Sequence, residues 1–542
     1  MIRPPVLERF GMLSEAVQVK GAIAMAQVSR LGMHLDVHRL QIVQDELRKV
    51  QDELINELSS DPSWQKVVRR DRKGQIILTP KGQAPSLNQT LLRQRLELAA
   101  TEVARESGRR VAIPRSEKGL VSLKAEDWEE LSPFNPMVHA WLELVKVSKS
   151  LQFFGNLASP VIHPRYTPIV RTGRTSCSNP NVQNLPREGG IRESFVPSPG
   201  TVFLVVDYSF IELRTLAAVC EERYGSSKLA EVIRAGVDPH CHTAAMFEGM
   251  TLEEFMKLKG SKNAKNREQY ASLRQRAKVL NFGIPGGLGP RSLVAYAKNN
   301  YGVILTVEKA EEFRLLLIQQ VYPELALYLA DDGMDVLARN LAAPVLECWQ
   351  RFDRSGERSG RVVGAVRKIV QGSPCKADGT PYNRRFVENV WDSLIELNRN
   401  EELAPLLARR QGTEALGKLL FRGGVTTLTG RVRGRVGFTQ ARNTAFQGLA
   451  SDGAKLALWA LIKEGYRVVA FIHDEFLVEL SENADHAKEA KKIETIVNGE
   501  MQKVTGSVPV ACEYALARRW SKKAKPVFSP DGRLVPYELE AI

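Results

Sequence analysis

Apolar positions recur at helical spacing over residues from about 14 to 60. There LQIVQDELRKVQDELINEL sets Leu40, Ile42, Val43, Leu47, Val50, Leu54, Ile55 and Leu58 in a proline-free run, so two or more helices are predicted to open the chain. Between about 62 and 80 the stretch KVVRRDRKGQIILTP gathers Lys66, Arg69, Arg70, Arg72 and Lys73 around Gly74. That is the pattern of a small hairpin, its tip either solvated or in contact with phosphate. Two further helical stretches, about 85 to 107 and 125 to 152, lead to a change of character. TGRTSCSNPNVQNLPREGGIRESFVPSPG is dense in Gly, Pro, Ser and Asn with almost no periodicity, which predicts a long ordered loop or a set of turns. So long a loop in a compact protein is usually functional.

TVFLVVDY, bounded by Pro199-Gly200, reads as a buried strand, and FIELRTLAAVC directly after it as a helix. Residues 251 to 283 are helical and strongly charged, with a break at Pro285 to Gly287. From about 300 to 420 the pattern is mainly helical, interrupted by RFDRSGERSGRVVG and GSPCKADGTPYN, which mark an insertion or subdomain. A helix over about 441 to 464, a hairpin over YRVVAFIHDEFLVEL and the basic segment ALARRWSKKAKP complete the chain.

A length of 542 residues suggests three or four structural units at roughly 150 residues each. Lys+Arg 76 against Asp+Glu 62 gives a net charge of +14, so a polyanionic partner is expected, nucleic acid ahead of a membrane surface. A hydrophobic content of 43% with 25% charged excludes a disordered chain. Cys177, Cys220, Cys241, Cys348, Cys375 and Cys512 lie far apart with no CxxC pair, which argues against a disulfide framework or a zinc ribbon and for a reducing compartment. The start, MIRPPVLERF, lacks the apolar stretch of a signal peptide, and no run of 18 apolar residues occurs. A soluble, cytoplasmic protein with no membrane partner is expected, in a bacterial cell or the bacterial host of a phage.

Asp207 stands at the end of the apolar strand TVFLVV, and Asp474 with Glu475 at the turn between VVAFI and FLVEL. If those strands are neighbours, a spacing of about 4.8 Å brings the carboxylates to one rim. Such a rim suits two Mg²⁺ ions clamping the attacking and leaving oxygens of a phosphoryl transfer. Any one of these acids alone reads as a solvated residue at a strand end or turn, and only the combination points to metal. In EQYASLRQRAKVLNFG, Arg274, Lys278 and Phe282 follow at four-residue steps, a stripe for a triphosphate at its basic end and a base or sugar on the ring. Read in isolation, the same helix is a solvated basic face with Phe282 in the core. His240 and His242 of DPHCHTA could also be read as a zinc pair, but no third ligand follows at plausible spacing.

VVDYSFIELR, RQRAKVLNFG and FIHDEF, in that order, resemble motifs A, B and C of the family A DNA polymerases, the bacterial polymerase I-like group. RTGRTSCSNPNVQNLP resembles that family's TGR-SS-PN-QN-P segment, and TLTGRVRGRVGFTQARNTAFQGLASDGAKLA its GRRR, N-x-x-x-QG and AxD segment. The matches cover roughly residues 163 to 290 and 425 to 480. The resemblance implies that Asp207 and Asp474 bind two catalytic Mg²⁺ ions with help from the Tyr208 carbonyl, that Glu475 supports them, and that His473 lies near the primer terminus. It implies Glu212 as a steric gate against a 2′-hydroxyl, Arg274 and Lys278 on the triphosphate with His240 assisting, and Phe282 on the sugar. Arg174, Gln183, Asn443 and Gln447 would touch the primer-template duplex, where hydrogen-bond donors in the minor groove can monitor pair shape without reading sequence.

The sequence departs from the family at Gly286, where an aromatic residue, usually Tyr, is expected, and at Phe210, where motif A usually has Gln. About 80 residues between YPEL and TLTGR exceed the usual connection. Neither a 3′-5′ exonuclease domain nor a 5′ nuclease is expected, so a compact phage (viral) or plasmid type of core is the expected source. The fold implied is α+β, a right hand with an antiparallel palm sheet, helical thumb and helical fingers. The thumb would span 1–155, the palm 156–232 and 425–542, and the fingers 233–424 with an insertion at about 325–424. The activity implied is DNA-directed DNA synthesis from dNTPs in replication or repair, by a monomer on primer-template DNA, with no accessory partner identified. A single-subunit RNA polymerase shares the Asp pair and the Arg-Lys helix, but DYSxIE and HDE argue against it. A non-catalytic descendant should have lost some of Asp207, Asp474, Arg274 or Lys278, and all are present.

Overall fold

The computed structural model describes residues 13–330 and 425–539, apart from 81–82, 109–110, 112, 117–118, 158, 187–188 and 434–435. Nearly all of the insertion expected at about 325–424 lies outside the described residues, as does MIRPPVLERF.

The opening helices are α1 (Leu13–Leu31), α2 (Val37–Ser60), α3 (Gln89–Ser107) and α4 (Pro136–Leu151), with the short strand β1 (Met33–Leu35) between the first two. Each later start has a side-chain cap. The Asp36 carboxylate accepts the Arg39 N–H, the Asn88 carbonyl that of Leu91, and Asn135 that of Val138. The helical stretch expected over 125 to 152 divides: Ala125–Trp128 and Ser132–Phe134 are isolated 3₁₀ turns, and the α-helix begins only at Pro136. Pro133 and Pro136 have no N–H to continue a ladder, and Pro136 suits a first helical position. Helices α2, α3 and α4 share a core of their own around Trp64, Trp128 and Trp141. The basic tip is a small paired structure, with bridges Arg70↔Ile76 and Val68↔Leu87. The Asp71 carboxylate accepts the amides of Lys73 and Gln75 to close its turn.

The next elements are β2 (Thr201–Tyr208), α5 (Ile211–Tyr224), α6 (Pro239–Phe247), α7 (Ala264–Gly283) and α8 (Pro290–Tyr301). After the undescribed segment come α9 (Phe438–Lys463), β3 (Arg467–Ile472), β4 (Glu475–Ser481), α10 (His486–Thr505) and β5 (Cys512–Ala517). The strands form a four-stranded sheet in the order β5-β2-β4-β3, antiparallel throughout. Its central strand is apolar on both faces because both are covered. Val202, Leu204 and Val206 enter the larger core with helices α1, α9 and α10, whereas Phe203 and Val205 enter a second core with Met33, Phe195 and Trp520. The described cysteines, Cys177, Cys220, Cys241 and Cys512, are all buried. No described helix is long and apolar enough to cross a membrane.

Candidate active site

Sheet register builds the acidic rim. Glu475 stands directly opposite Asp207 in the β4–β2 ladder, and the β3–β4 connection is His473-Asp474, between paired Ile472 and Glu475. His473 takes a positive φ of 61°, the left-handed conformation that tight hairpins use. Asp474 is thereby carried to the same end of the sheet as Asp207. Burial and the neighbouring Asp207 push the Asp474 carboxyl up to about 8, with Glu212 and Glu475 adding to the effect. Burial also raises Glu475, whose side chain is 1% exposed and whose Oε1 accepts the Trp520 indole N–H at 2.6 Å. The Tyr208 phenol donates to the Val497 carbonyl at 2.8 Å, so only its backbone is available to the rim.

These donors are all oxygens, and their excess negative charge is the electrostatic setting in which a divalent cation binds. Among the described residues no cluster of three or more His, Cys, Asp and Glu forms a metal cage. A Mg²⁺ site completed by substrate phosphate and water does not require one.

Beside the rim opens a cleft of about 820 Å³. Asp474, His473, Glu212 and Arg174 line it from the sheet side, Lys278 and Phe282 from α7, and Asn443 and Gln447 from α9. Glu212 is ion-paired with Arg174, and Gln447 Nε2 stands 3.5 Å from its other oxygen. Phe210, replacing the family's Gln, has a positive φ of 40° and lies under the Arg214 guanidinium at 4.4 Å. A positive φ at an aromatic residue is a strained state that its surroundings must hold.

Three of the expected site residues, His240, Gln183 and Arg274, do not line the cleft. His240 is 2% exposed, not in the cleft: its ring packs 5.5 Å from Phe282 and 6.5 Å from Phe210, and its Nδ1 meets the Asn281 amide. Burial drives it down to about 3, with the nearby Arg274 and Lys278 charges adding to the effect. Gln183 is 5% exposed, its amide donating to Thr175 Oγ1 and the Phe471 carbonyl. It fastens its loop to β3. Arg274 does not line the cleft, because the Asp238 carboxylate holds its guanidinium through Nε at 3.0 Å and a terminal nitrogen at 2.7 Å. The other oxygen of Asp238 caps α6 through the His240 N–H. The zinc alternative has no support either, since His242 stacks on Tyr322 at 5.7 Å.

Gly286 explains itself sterically. A Cβ there would come within 2.9 Å of Asn443 Oδ1, and the Asn443 amide donates to the Gly286 carbonyl at 3.1 Å. Beside Phe210 and Phe282, the cleft's aromatic lining includes Tyr296 and Tyr301 of α8, which the sequence pattern did not single out. Tyr296 lies against α7 at Gly283, its hydroxyl 3.3 Å from that of Tyr301. Burial, Tyr301 and the charge of Glu212 all raise its phenol. Two tyrosines after the IPGGLG break were the available signal. Arg433, also in the lining, was within reach of the GRVRGRV segment.

Residues 89–332 match the family model of DNA polymerase family A. The chain is 27% identical over 539 residues to a thermostable DNA polymerase I of Thermus filiformis, covering 95% of this chain and 49% of the relative. It is 33% identical over 257 residues to a DNA polymerase I of Lactococcus lactis, covering 45% of this chain and 27% of the relative. Over residues 89–332 the chain is similar to DNA polymerase family A. Among solved structures, the POL domain of Pol1 from M. smegmatis, in complex with DNA primer-template and dNTP, aligns with a TM-score of 0.56 and 19% identity, over 93% of this chain and 70% of that one. The α+β polymerase fold expected from the family motifs is therefore the fold present. The chain spans about half or less of the curated family A relatives it matches, and those named are bacterial.

Proposed function

We propose that this chain is a DNA-directed DNA polymerase, extending a primer 3′-hydroxyl by attack on the α-phosphorus of a dNTP with release of pyrophosphate. The observation that carries the reading is the register of Glu475 on Asp207, with Asp474 at the adjoining turn, beside a cleft that holds Lys278 and Phe282. In this reading residues up to about 155 form the thumb, the four-stranded sheet and its helices the palm, and α6 to α8 part of the fingers. Asp207, Asp474 and the Tyr208 carbonyl would hold two Mg²⁺ ions. The metal supplies charge neutralisation on the attacking and leaving oxygens.

The chain's own contribution is orientation. Lys278 offers a point charge to the triphosphate and Phe282 a ring to the sugar, while Glu212, steadied by Arg174, forms the floor under the sugar's 2′ position. Arg274 joins the triphosphate by leaving Asp238, which keeps its helix cap through its other oxygen. The net charge of +14 supports sequence-independent phosphate binding with strong salt dependence.

Primer extension on a recessed DNA template with Mg²⁺, comparing dNTPs with rNTPs, tests this. Extension with dNTPs alone is expected, and extension with rNTPs of equal efficiency would favour an RNA polymerase. Glu212→Ala is expected to raise ribonucleotide use by roughly tenfold or more, because a steric exclusion is lost. Unchanged rejection of rNTPs by that variant would place the gate elsewhere.

A further inference from the structure

The basic segment ALARRWSKKAKP follows β5 and sends one side chain back into the acidic rim. Its anchor is Trp520, fully buried, with its ring edge-on to Phe195 at 5.5 Å and the Arg192 guanidinium 4.6 Å above it. The Trp520 indole N–H ends on Glu475. Two residues further, the Lys522 ammonium donates to Asp207 Oδ2 at 2.9 Å and forms an ion pair with Glu475 Oε2. Its side chain is 28% exposed. Burial alone would lower the Lys522 ammonium, but Glu475 and Asp207 outweigh it and hold the group above its usual value.

We propose that Lys522 is a built-in counter-cation of the rim, a positioning residue that holds Asp207 and Glu475 together before a divalent ion binds and yields their oxygens when it does. The inference rests on the metal reading of the same carboxylates. One ammonium faces three carboxyl groups, Asp207, Asp474 and Glu475, so the cluster keeps acceptor oxygens to offer a divalent ion. That ion must compete with an ammonium already seated, and Lys522 therefore raises the metal concentration the site requires. The residue type suits a replaceable partner. A lysine is a point charge on a flexible four-carbon stem, free to swing aside, whereas an arginine fork would hold a carboxylate in fixed bidentate geometry. The tail itself need not move, because Trp520 holds it through contacts that do not involve the ammonium.

Metal binding is measured without turnover, by the loss of the free Mn²⁺ electron paramagnetic resonance signal on titration with the full chain in the absence of DNA and nucleotide. Lys522→Ala and Lys522→Met are both expected to bind Mn²⁺ at least about threefold more tightly than the unmutated protein, the Met variant preserving the packing of the stem. Lys523→Ala removes the same charge one residue away and is expected to leave the affinity unchanged, which separates a seated ammonium from general electrostatics. Asp474→Ala is expected to lose the site. Unchanged or weaker binding in both Lys522 variants, with the Asp474→Ala loss in place, overturns the role of Lys522, as does an equal gain in Lys523→Ala. Mn²⁺ binding by Asp474→Ala as tight as that of the unmutated protein overturns instead the metal reading beneath it.

Discussion

Asp474→Ala is expected to reduce primer extension by roughly a thousandfold or more, the loss of several kcal/mol of transition-state stabilisation at about 1.4 kcal/mol per factor of ten. Affinity for primed duplex should stay close to that of the unmutated protein. Asp474 occupies a hairpin turn set by backbone pairing of Ile472 with Glu475, so the side chain can go without a change of register. The carboxyl is held at about 8 by burial and by Asp207. Removing it relieves that cost, and the melting temperature should stay level or rise. A parallel assay of extension, duplex binding by fluorescence anisotropy, and thermal unfolding checks all three. Retained extension would remove Asp474 from the reaction, and a lowered melting temperature would assign it a structural duty instead.

Gly173→Ala is expected to destabilise the protein by about 3 kcal/mol and to impair extension with it. The φ of Gly173 is +88°, and a Cβ would collide with the Arg431 guanidinium. The arginine has little room to yield. It is 5% exposed, bonded to the Thr172 carbonyl and 3.6 Å from Asp452. The Gly173 carbonyl also accepts Lys455 Nζ at 2.7 Å and Ser451 Oγ at 2.9 Å. Backbone strain of about 1 to 3 kcal/mol and overpacking of similar size both contribute. Because Arg174 is the next residue and pairs with Glu212, the distortion reaches the cleft. Gly108→Ala is the matched control, since its φ is +63° with nothing within 4 Å of the added Cβ. It carries only the backbone cost, and equal melting temperatures for the two variants would refute the collision.

Much of this arrangement was legible in the sequence. TVFLVVDY announced a strand covered on both faces, and YRVVAFIHDEFLVEL a hairpin, so the acids at their ends could be placed at one rim once the strands were taken as neighbours. Four-residue spacing likewise carried Lys278 and Phe282 to the cleft together. Periodicity could not say which way a side chain turns at a helix start: Pro239 and the cap at Asp238 point His240 inward, under Phe210 and Phe282. It could not reveal that Asp238, 36 residues before Arg274, claims that guanidinium. Tyr296 and Lys522 were missed for a related reason. Their nearness to the site depends on the turn between α7 and α8 and on the path of the tail after β5, neither of which leaves a repeat in the chain.

The sheet's two unlike cores have a consequence for how the rim stays aligned. Along β2, neighbouring residues drop alternately into one hydrophobic interior or the other, so a slip of one residue would swap the tenants of both at once. Alignment of Asp207 with Glu475 is thus enforced from a distance, by Phe203, Leu204 and Val206 as a ruler with a single readable mark. The carboxylates themselves do not have to set that register. They can exchange one cationic partner for another without the framework beneath them losing its place.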